Sequence, residues 1–191
     1  RAGGVTIAED WGGDEADQDG EVTLNIPEKH FFPWSPDSPF LYDLTVGTTQ
    51  GDEDGFDTVH SYFALRKWSC EPDAKGILRF CLNGKPILLN GLLDQGYWPE
   101  GLYTPPSDAA VVHELEQVKE LGFNLLRKHA KIEPERWYYH CDKLGIIVWQ
   151  DMVNGGGAYP MWYVTYLTNA LQPLMRHAPV PYTHLRAHET L

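Results

Sequence analysis

The stretch Phe80-Cys81-Leu82-Asn83-Gly84-Lys85-Pro86-Ile87-Leu88-Leu89-Asn90-Gly91 separates two kinds of sequence in this chain. Within it, Asn83-Gly84 stands between two apolar runs, residues 78–82 and 87–90. Both turn residues tolerate positive φ, so the pair predicts a tight hairpin with a strand on either side. Upstream the chain reads as short strands with turns between them. Downstream it reads as strands alternating with helices.

Downstream, Ser107-Asp108 offers a helix cap, and Val111, Leu115, Val118 and Leu121 follow at helical spacing until Gly122 stops the helix. Phe123-Asn124-Leu125-Leu126-Arg127 is a short apolar strand. Pro134 suits a first helical turn, Trp137, Tyr138, Cys141 and Leu144 line one face, and Gly145 ends it. Ile146-Ile147-Val148-Trp149 is the next strand. A strand–helix–strand–helix–strand order predicts a parallel sheet with helices on its faces. Beyond Asp151 the pattern decays. Asn154-Gly155-Gly156-Gly157 reads as loop, residues 161–171 as a short aromatic helix, and residues 179–191 show no period.

Upstream, Glu21-Val22-Thr23-Leu24-Asn25-Ile26 alternates polar and apolar, the pattern of a half-buried strand. Pro33, Pro36 and Pro39 then enforce an extended crossing, since proline has no N–H and fixes φ. Residues 40–46 and 59–67 read as strands around an acidic, glycine-bearing loop at residues 48–57. Glu71-Pro72-Asp73-Ala74-Lys75-Gly76 reads as a linker. Several short strands with turns between them indicate a β-sandwich.

Composition narrows the function. With 15 basic and 27 acidic residues the chain carries a net charge of −12, which argues against nucleic acid as a partner. Much of the excess lies in one run, Glu9 to Glu21, which reads as a solvated loop; a calcium loop is the alternative, but the Asp14–Glu21 spacing lacks the glycine and terminal glutamate of an EF-hand. Cys70, Cys81 and Cys141 form no CxxC pair, so they read as reduced core thiols rather than zinc ligands, with a disulfide as the alternative that nothing demands. No apolar run of about 18 residues marks a membrane span, and no signal-peptide pattern is present. The chain opens on Arg1 rather than Met, so its ends read as cut and its compartment is unreadable. The abundant Trp, Tyr and Phe suit core packing first; exposed Trp and Tyr also stack on the apolar faces of sugars.

Three segments together resemble glycoside hydrolase family 2, the family of β-galactosidases, β-glucuronidases and β-mannosidases. Trp34-Ser35-Pro36-Asp37-Ser38-Pro39-Phe40-Leu41-Tyr42 is similar to the family's W-x-P-x-x-P-x-L-Y near the end of its immunoglobulin-like sandwich. Residues 80–91 are similar to the F-x-L-N-G-K-P-x-x-L-x-G that leads into the first barrel strand. Leu121-Gly122-Phe123-Asn124-Leu125-Leu126-Arg127 resembles the L-G-x-N-x-x-R of barrel strand two. Their order and spacing extend the resemblance over roughly residues 20 to 160. It implies a sandwich end at residues 1–75, the first three βα units of a (β/α)8 barrel at residues 76–160, and an irregular or foreign tail at residues 161–191. Two places depart from the better-known members: Asp94-Gln95-Gly96-Tyr97-Trp98-Pro99 stands where many relatives are histidine-rich, and Val148-Trp149-Gln150-Asp151-Met152 where they carry an acidic pair. Their sugar therefore does not carry over.

The resemblance also implies a chemistry. The family retains configuration through two Glu residues about 5 Å apart, the acid/base following an Asn after strand four and the nucleophile following strand seven. The 191 residues contain no Asn-Glu dipeptide and only three barrel strands are legible, so the chain is expected to lack both catalytic carboxylates and to hydrolyse nothing alone. Its substrate-binding candidates are Arg127, His129, Asp94, Trp98 and Asp151. Arg127 matches the family arginine that supports the nucleophile; its plainer reading is an ordinary salt bridge. His129 matches a family histidine that contacts sugar hydroxyls, with R-x-H here in place of R-x-x-H; the plainer reading is a loop histidine. Asp94 can bind a sugar hydroxyl or cap its loop, and Trp98 and Trp149 can stack on sugar or pack inward. Asp151 falls where some members bind metal, but the accompanying His is absent, so neither metal nor cofactor is expected. Carbohydrate is the expected partner; the oligomeric state is not readable. A non-catalytic glycan-binding or structural module is the alternative. A nucleotide-binding fold lacks its G-x-G-x-x-G or G-x-x-x-x-G-K-[ST].

Overall fold

The computed structural model describes residues 1–10, 23–49 and 56–151. Most of the acidic run, the centre of the 48–57 loop, and every element expected beyond Asp151 lie outside the described residues. The chain divides into two compact units, Arg1–Trp34 with Phe40–Leu65, and Ser35–Pro39 with Arg66–Leu191.

In the first unit, β1 (Tyr42–Thr49) and β2 (Phe56–Phe63) form an antiparallel pair, with Tyr42 opposite Phe63 and Thr49 opposite Phe56. The ladder is offset from the apolar runs at residues 40–46 and 59–67, because backbone pairing continues through Gly47 and Thr48, which carry no apolar signal. Residues 23–26, expected as a strand, form none. Alternation marks a strand only where a neighbour supplies hydrogen bonds, and none of the described strands does so there.

Tyr42 fixes the proline-rich entry. Its ring is fully buried and stacks on Phe63 at 4.9 Å. Its hydroxyl donates to His30 O at 2.6 Å and accepts from Phe32 N–H at 2.6 Å. Tyr42→Phe leaves both backbone groups without that partner while keeping the ring. It is expected to cost about 1–3 kcal/mol in urea unfolding, and an unchanged midpoint would show that solvent satisfies them.

The second unit begins with an antiparallel sheet of β3 (Trp68–Pro72), β4 (Leu78–Leu82) and β5 (Lys85–Pro86). The expected linker at residues 71–76 is instead the turn of the β3–β4 hairpin. Asp73 organises it, its Oδ1 accepting from Lys75 N–H at 2.8 Å and Ile77 N–H at 3.0 Å, and its Oδ2 from Arg79 Nε at 3.0 Å. These bonds, the Ile77 and Lys75 amides foremost, hold the Asp73 carboxyl below its ordinary value. Pro72 is tolerated because β3 is an edge strand of this sheet. The turn at Asn83 and Gly84 has φ of 53° and 74°, both left-handed as a two-residue hairpin of this type requires.

Residues 87–90 do not continue as a strand. They are held by a reciprocal amide lock. Asn90 N–H donates to Asn124 Oδ1 at 2.9 Å, Asn124 N–H to Asn90 O at 2.9 Å, and Asn124 Nδ2 to Leu88 O at 2.8 Å. The lock precedes β6 (Gly91–Asp94), which pairs in parallel with β7 (Leu125–Lys128), as β7 does with β8 (Ile147–Gln150). The connections are α1 (Asp108–Glu120) and α2 (Glu135–Leu144).

Both helices are stopped by the glycines the sequence predicts and α1 is capped by Ser107, but Pro134, expected in the first turn of α2, stands before it as an extended N-cap with ψ of 148°. Ser107 Oγ accepts from Ala110 N–H, and Gly122 and Gly145 follow in the left-handed region. Val111, Leu115 and Val118 of α1 and Trp137, Tyr138 and Cys141 of α2 bury against Leu126 and Val148. Leu121, expected on that face, is 71% exposed, because it caps the helix one residue past the last regular turn. Cys81 and Cys141 are buried free thiols and Cys70 is an exposed one. No described helix is long and apolar enough to cross a membrane.

Candidate functional site

In an open parallel sheet, ligands gather at the carboxyl ends of the strands. Here the pleat sorts those ends into two rows. Asp94, Lys128 and Gln150 are in register on the face toward the helices, two residues on from Leu92, the core residue Leu126 and the core residue Val148. Leu93, Arg127 and Trp149 are in register on the opposite face.

The helix-facing row forms a buried charge network. The Lys128 side chain is 1% exposed and its ammonium bonds Asp94 Oδ2 and, at 2.9 Å, Glu133 Oε1. Lys131 Nζ reaches the same Glu133 oxygen at 2.8 Å and donates to Gly96 O and Tyr103 O at 2.9 and 2.7 Å. Tyr138 Oη accepts from Glu133 N–H and donates to Gln150 Oε1, and Gln150 Nε2 donates to Lys131 O and Asp151 O. Burial pushes the Tyr138 hydroxyl well above its ordinary value. The loops after all three strands are thus tied together from behind the sheet.

Among the candidates, Asp94 belongs to this network. Its Oδ1 accepts from Gly96 N–H at 2.6 Å, so of its two readings the loop cap is the one its geometry shows. Gly96 has φ of 65°, and a Cβ there would run into Glu133 and Lys131. Trp98 is half-buried and packs against the helix core, with its backbone bridged to Leu102. His129 is exposed, its Nδ1 3.1 Å from Gln95 Nε2. Arg127 and Asp151 meet on the open face, Nε to Oδ2 at 2.9 Å, with the Arg127 side chain 46% exposed. Its other guanidinium N–H groups bond nothing among the described residues. A guanidinium can fork onto a second carboxylate or an oxygen-rich ligand there. No group of three or more potential metal ligands occurs among the described residues.

Sequence reading passed over Lys128 and Glu133. A signal was available: Lys128 is two residues from Leu126 in a strand, hence on the core face, where a lysine requires an acidic partner. Glu114 stands beside the network. Burial first, then the charge of Asp94, raises its carboxyl above the ordinary value, with Lys128 and Lys131 opposing and Glu133 adding to the rise. A carboxyl raised on folding stabilises below its unfolded value, and that contribution is lost as pH rises through the folded value. Glu114→Gln is therefore expected to raise the thermal midpoint at pH 7 relative to the unsubstituted chain, the gap closing toward pH 4. A gap of constant size would show that charge is not the cause.

The geometry can be set beside known proteins. No family profile matches the chain. A β-galactosidase of Leuconostoc mesenteroides is 28% identical over 172 residues, covering 87% of this chain and 16% of that protein. Among solved structures, β-glucuronidase 3 of Bacteroides uniformis matches with a TM-score of 0.63 at 26% identity, over 76% of this chain and 18% of that one. A family 2 β-galacturonidase of Eisenbergiella tayi, bound to galacturonate, matches with a TM-score of 0.55 at 25% identity, over 69% and 21%. The chain thus spans about a fifth or less of the length of these relatives.

Proposed function

We propose that this chain, which is glycoside hydrolase family 2-like in sequence and fold, supplies one flank of the substrate mouth of a retaining glycosidase, at the junction of a β-sandwich and a (β/α)8 barrel. The supporting observation is the Arg127–Asp151 pair at the carboxyl ends of adjacent parallel strands, the end where barrel enzymes build their sites. Asp151 occupies one edge of the guanidinium and leaves its terminal nitrogens for a second carboxylate. In the reading offered by the family resemblance, that carboxylate is the nucleophilic Glu. Arg127 would keep it ionised and aimed, a positioning role. His129, exposed beside Gln95, would in this reading meet a sugar hydroxyl. Asp94 and Trp98 act from behind, holding the loop.

Retaining hydrolysis needs an acid/base and a nucleophile, and the residues matched to the family pattern here include neither. The purified 191-residue chain is accordingly expected to release no nitrophenol from nitrophenyl β-galactoside, β-glucoside or β-glucuronide; turnover with any of them would show that it carries catalytic carboxylates of its own. In a longer enzyme that carries this stretch, Arg127→Ala is expected to lower kcat/KM about 10- to 100-fold, the weight of one charge-assisted interaction. An unchanged value would reduce Arg127 to a surface ion pair. The relatives named above act on different sugars by their names, so the sugar here is left at the level of a β-linked pyranoside.

A further inference from the structure

We infer that Tyr97 and Tyr103 form a preorganised stacking platform for a pyranose ring, a carbohydrate subsite in the loop that follows β6, at the sheet end that also carries Arg127 and Asp151. The inference rests on the carbohydrate reading above and extends it to a second position. The two residues are 61% and 54% exposed, in a loop otherwise tied down at several points. Their ring centroids lie 4.6 Å apart at 39°, and their hydroxyls share a hydrogen bond of 2.5 Å. That bond, more than burial, holds the Tyr103 hydroxyl above its ordinary value.

The loop beneath is built to hold this pair still. Trp98 and Leu102 exchange two backbone bonds, at 2.7 and 3.0 Å, closing the segment between the tyrosines, while Trp98 is anchored in the helix core. Lys131 Nζ clamps the carbonyl next to Tyr97, that of Gly96, and the carbonyl of Tyr103 itself. The same ammonium lies 5.3 Å from the Tyr103 ring centroid, and its charge is met by the buried Glu133. An exposed pair of rings gains little stability from this rigidity. Rigidity does lower the ordering cost of binding. Paired tyrosines offer flat apolar area edged with hydroxyls, which matches the C–H face and rim oxygens of a pyranose. The loop follows β6, at the same sheet end as Arg127 and Asp151. The Lys131 charge is already met by Glu133, and Glu100 adds an exposed carboxylate to the loop, so a neutral sugar fits better than a phosphate.

Saturation-transfer NMR on the 191-residue chain with lactose, cellobiose and chitobiose tests this, with far-UV circular dichroism melts establishing that each variant is folded. The expected result is transfer to ring C–H protons of at least one disaccharide, reduced at least fivefold by Tyr97→Ala and by Tyr103→Ala. Tyr97→Phe keeps the stacking face and is expected to keep at least half of the signal. Binding that Tyr97→Ala and Tyr103→Ala leave unchanged would overturn the platform while leaving the carbohydrate reading intact. A folded chain that binds none of the three would also overturn it. The reading of this chain as a flank of a glycosidase mouth fails separately, on the Arg127→Ala kcat/KM measurement.

Discussion

Lys128→Met is expected to destabilise the second unit by about 3–5 kcal/mol, the cost of removing one partner from a buried ion pair. Methionine matches the length of the lysine stem, so little volume is lost and the effect isolates the ammonium. What remains is Asp94, with its side chain 13% exposed, and Glu133, at 2%, facing the vacated position. Lys131 still meets Glu133 Oε1, but Glu133 Oε2 is buried without a hydrogen-bond partner among the described residues, so this carboxylate has no reserve. The measurement is urea unfolding, where a loss of this size moves the midpoint by roughly 2 M. Adding Asp94→Asn to Lys128→Met removes one stranded charge, while the amide oxygen can still accept from Gly96 N–H. The double variant is expected to regain at least a third of the loss. A single variant within about 0.5 kcal/mol of the unsubstituted chain, the range of ordinary surface changes, would show that water already solvates the site.

The network that makes this prediction large was the least legible part of the molecule. Lys128 is 34 residues from Asp94 and 5 from Glu133, and Arg66 is 76 from Asp142, its buried partner at 2.9 Å. Separations of that kind leave no period in a sequence. The features that were legible are local or periodic. Asn83-Gly84 encodes its turn through positive φ, Ser107 its cap through a hydroxyl, and α2 its buried face through residues three and four apart. Where local signals misled, a specific side chain intervened. Asp73 turned an apparent linker into a hairpin by bonding two amides, and Asn90 with Asn124 ended an apolar run before the sheet began. Alternation at residues 23–26 misled for the opposite reason, having no strand to pair with among those described.

The site was legible in type but not in orientation. Asp94, Arg127 and Asp151 all fall at strand ends, as the strand–helix alternation implies. Which face each takes depends on register. A strand beginning at Leu125 puts Arg127 on the open face and Lys128 among the helices, and a shift of one residue would exchange them. The consequence is a division of labour across the sheet. The open face presents a guanidinium with unused donors, and the hidden face holds the three loops in fixed relation.

Trp137→Ala is expected to cost about 3–5 kcal/mol, and to do so partly through Lys128. Trp137 is 2% exposed in the cluster that joins both helices to β7 and β8. Its ring meets Tyr138 edge-on at 5.1 Å, and Lys128 Nζ stands 4.3 Å from its centroid. Truncation therefore opens a cavity and also removes the aromatic face that shields the ammonium. Since one contact is lost in both variants, the losses for Lys128→Met and Trp137→Ala should not add. Trp137→Phe separates the two contributions, because phenylalanine refills most of the volume and keeps a π face. Its cost is expected to be less than half that of Trp137→Ala. A double-mutant cycle between Lys128→Met and Trp137→Ala, which removes the aromatic face, should then give a coupling of at least 0.5 kcal/mol, the lower bound for residues in contact. Strict additivity would show that tryptophan serves only as filler, and that the network behind the sheet is held by its carboxylates alone.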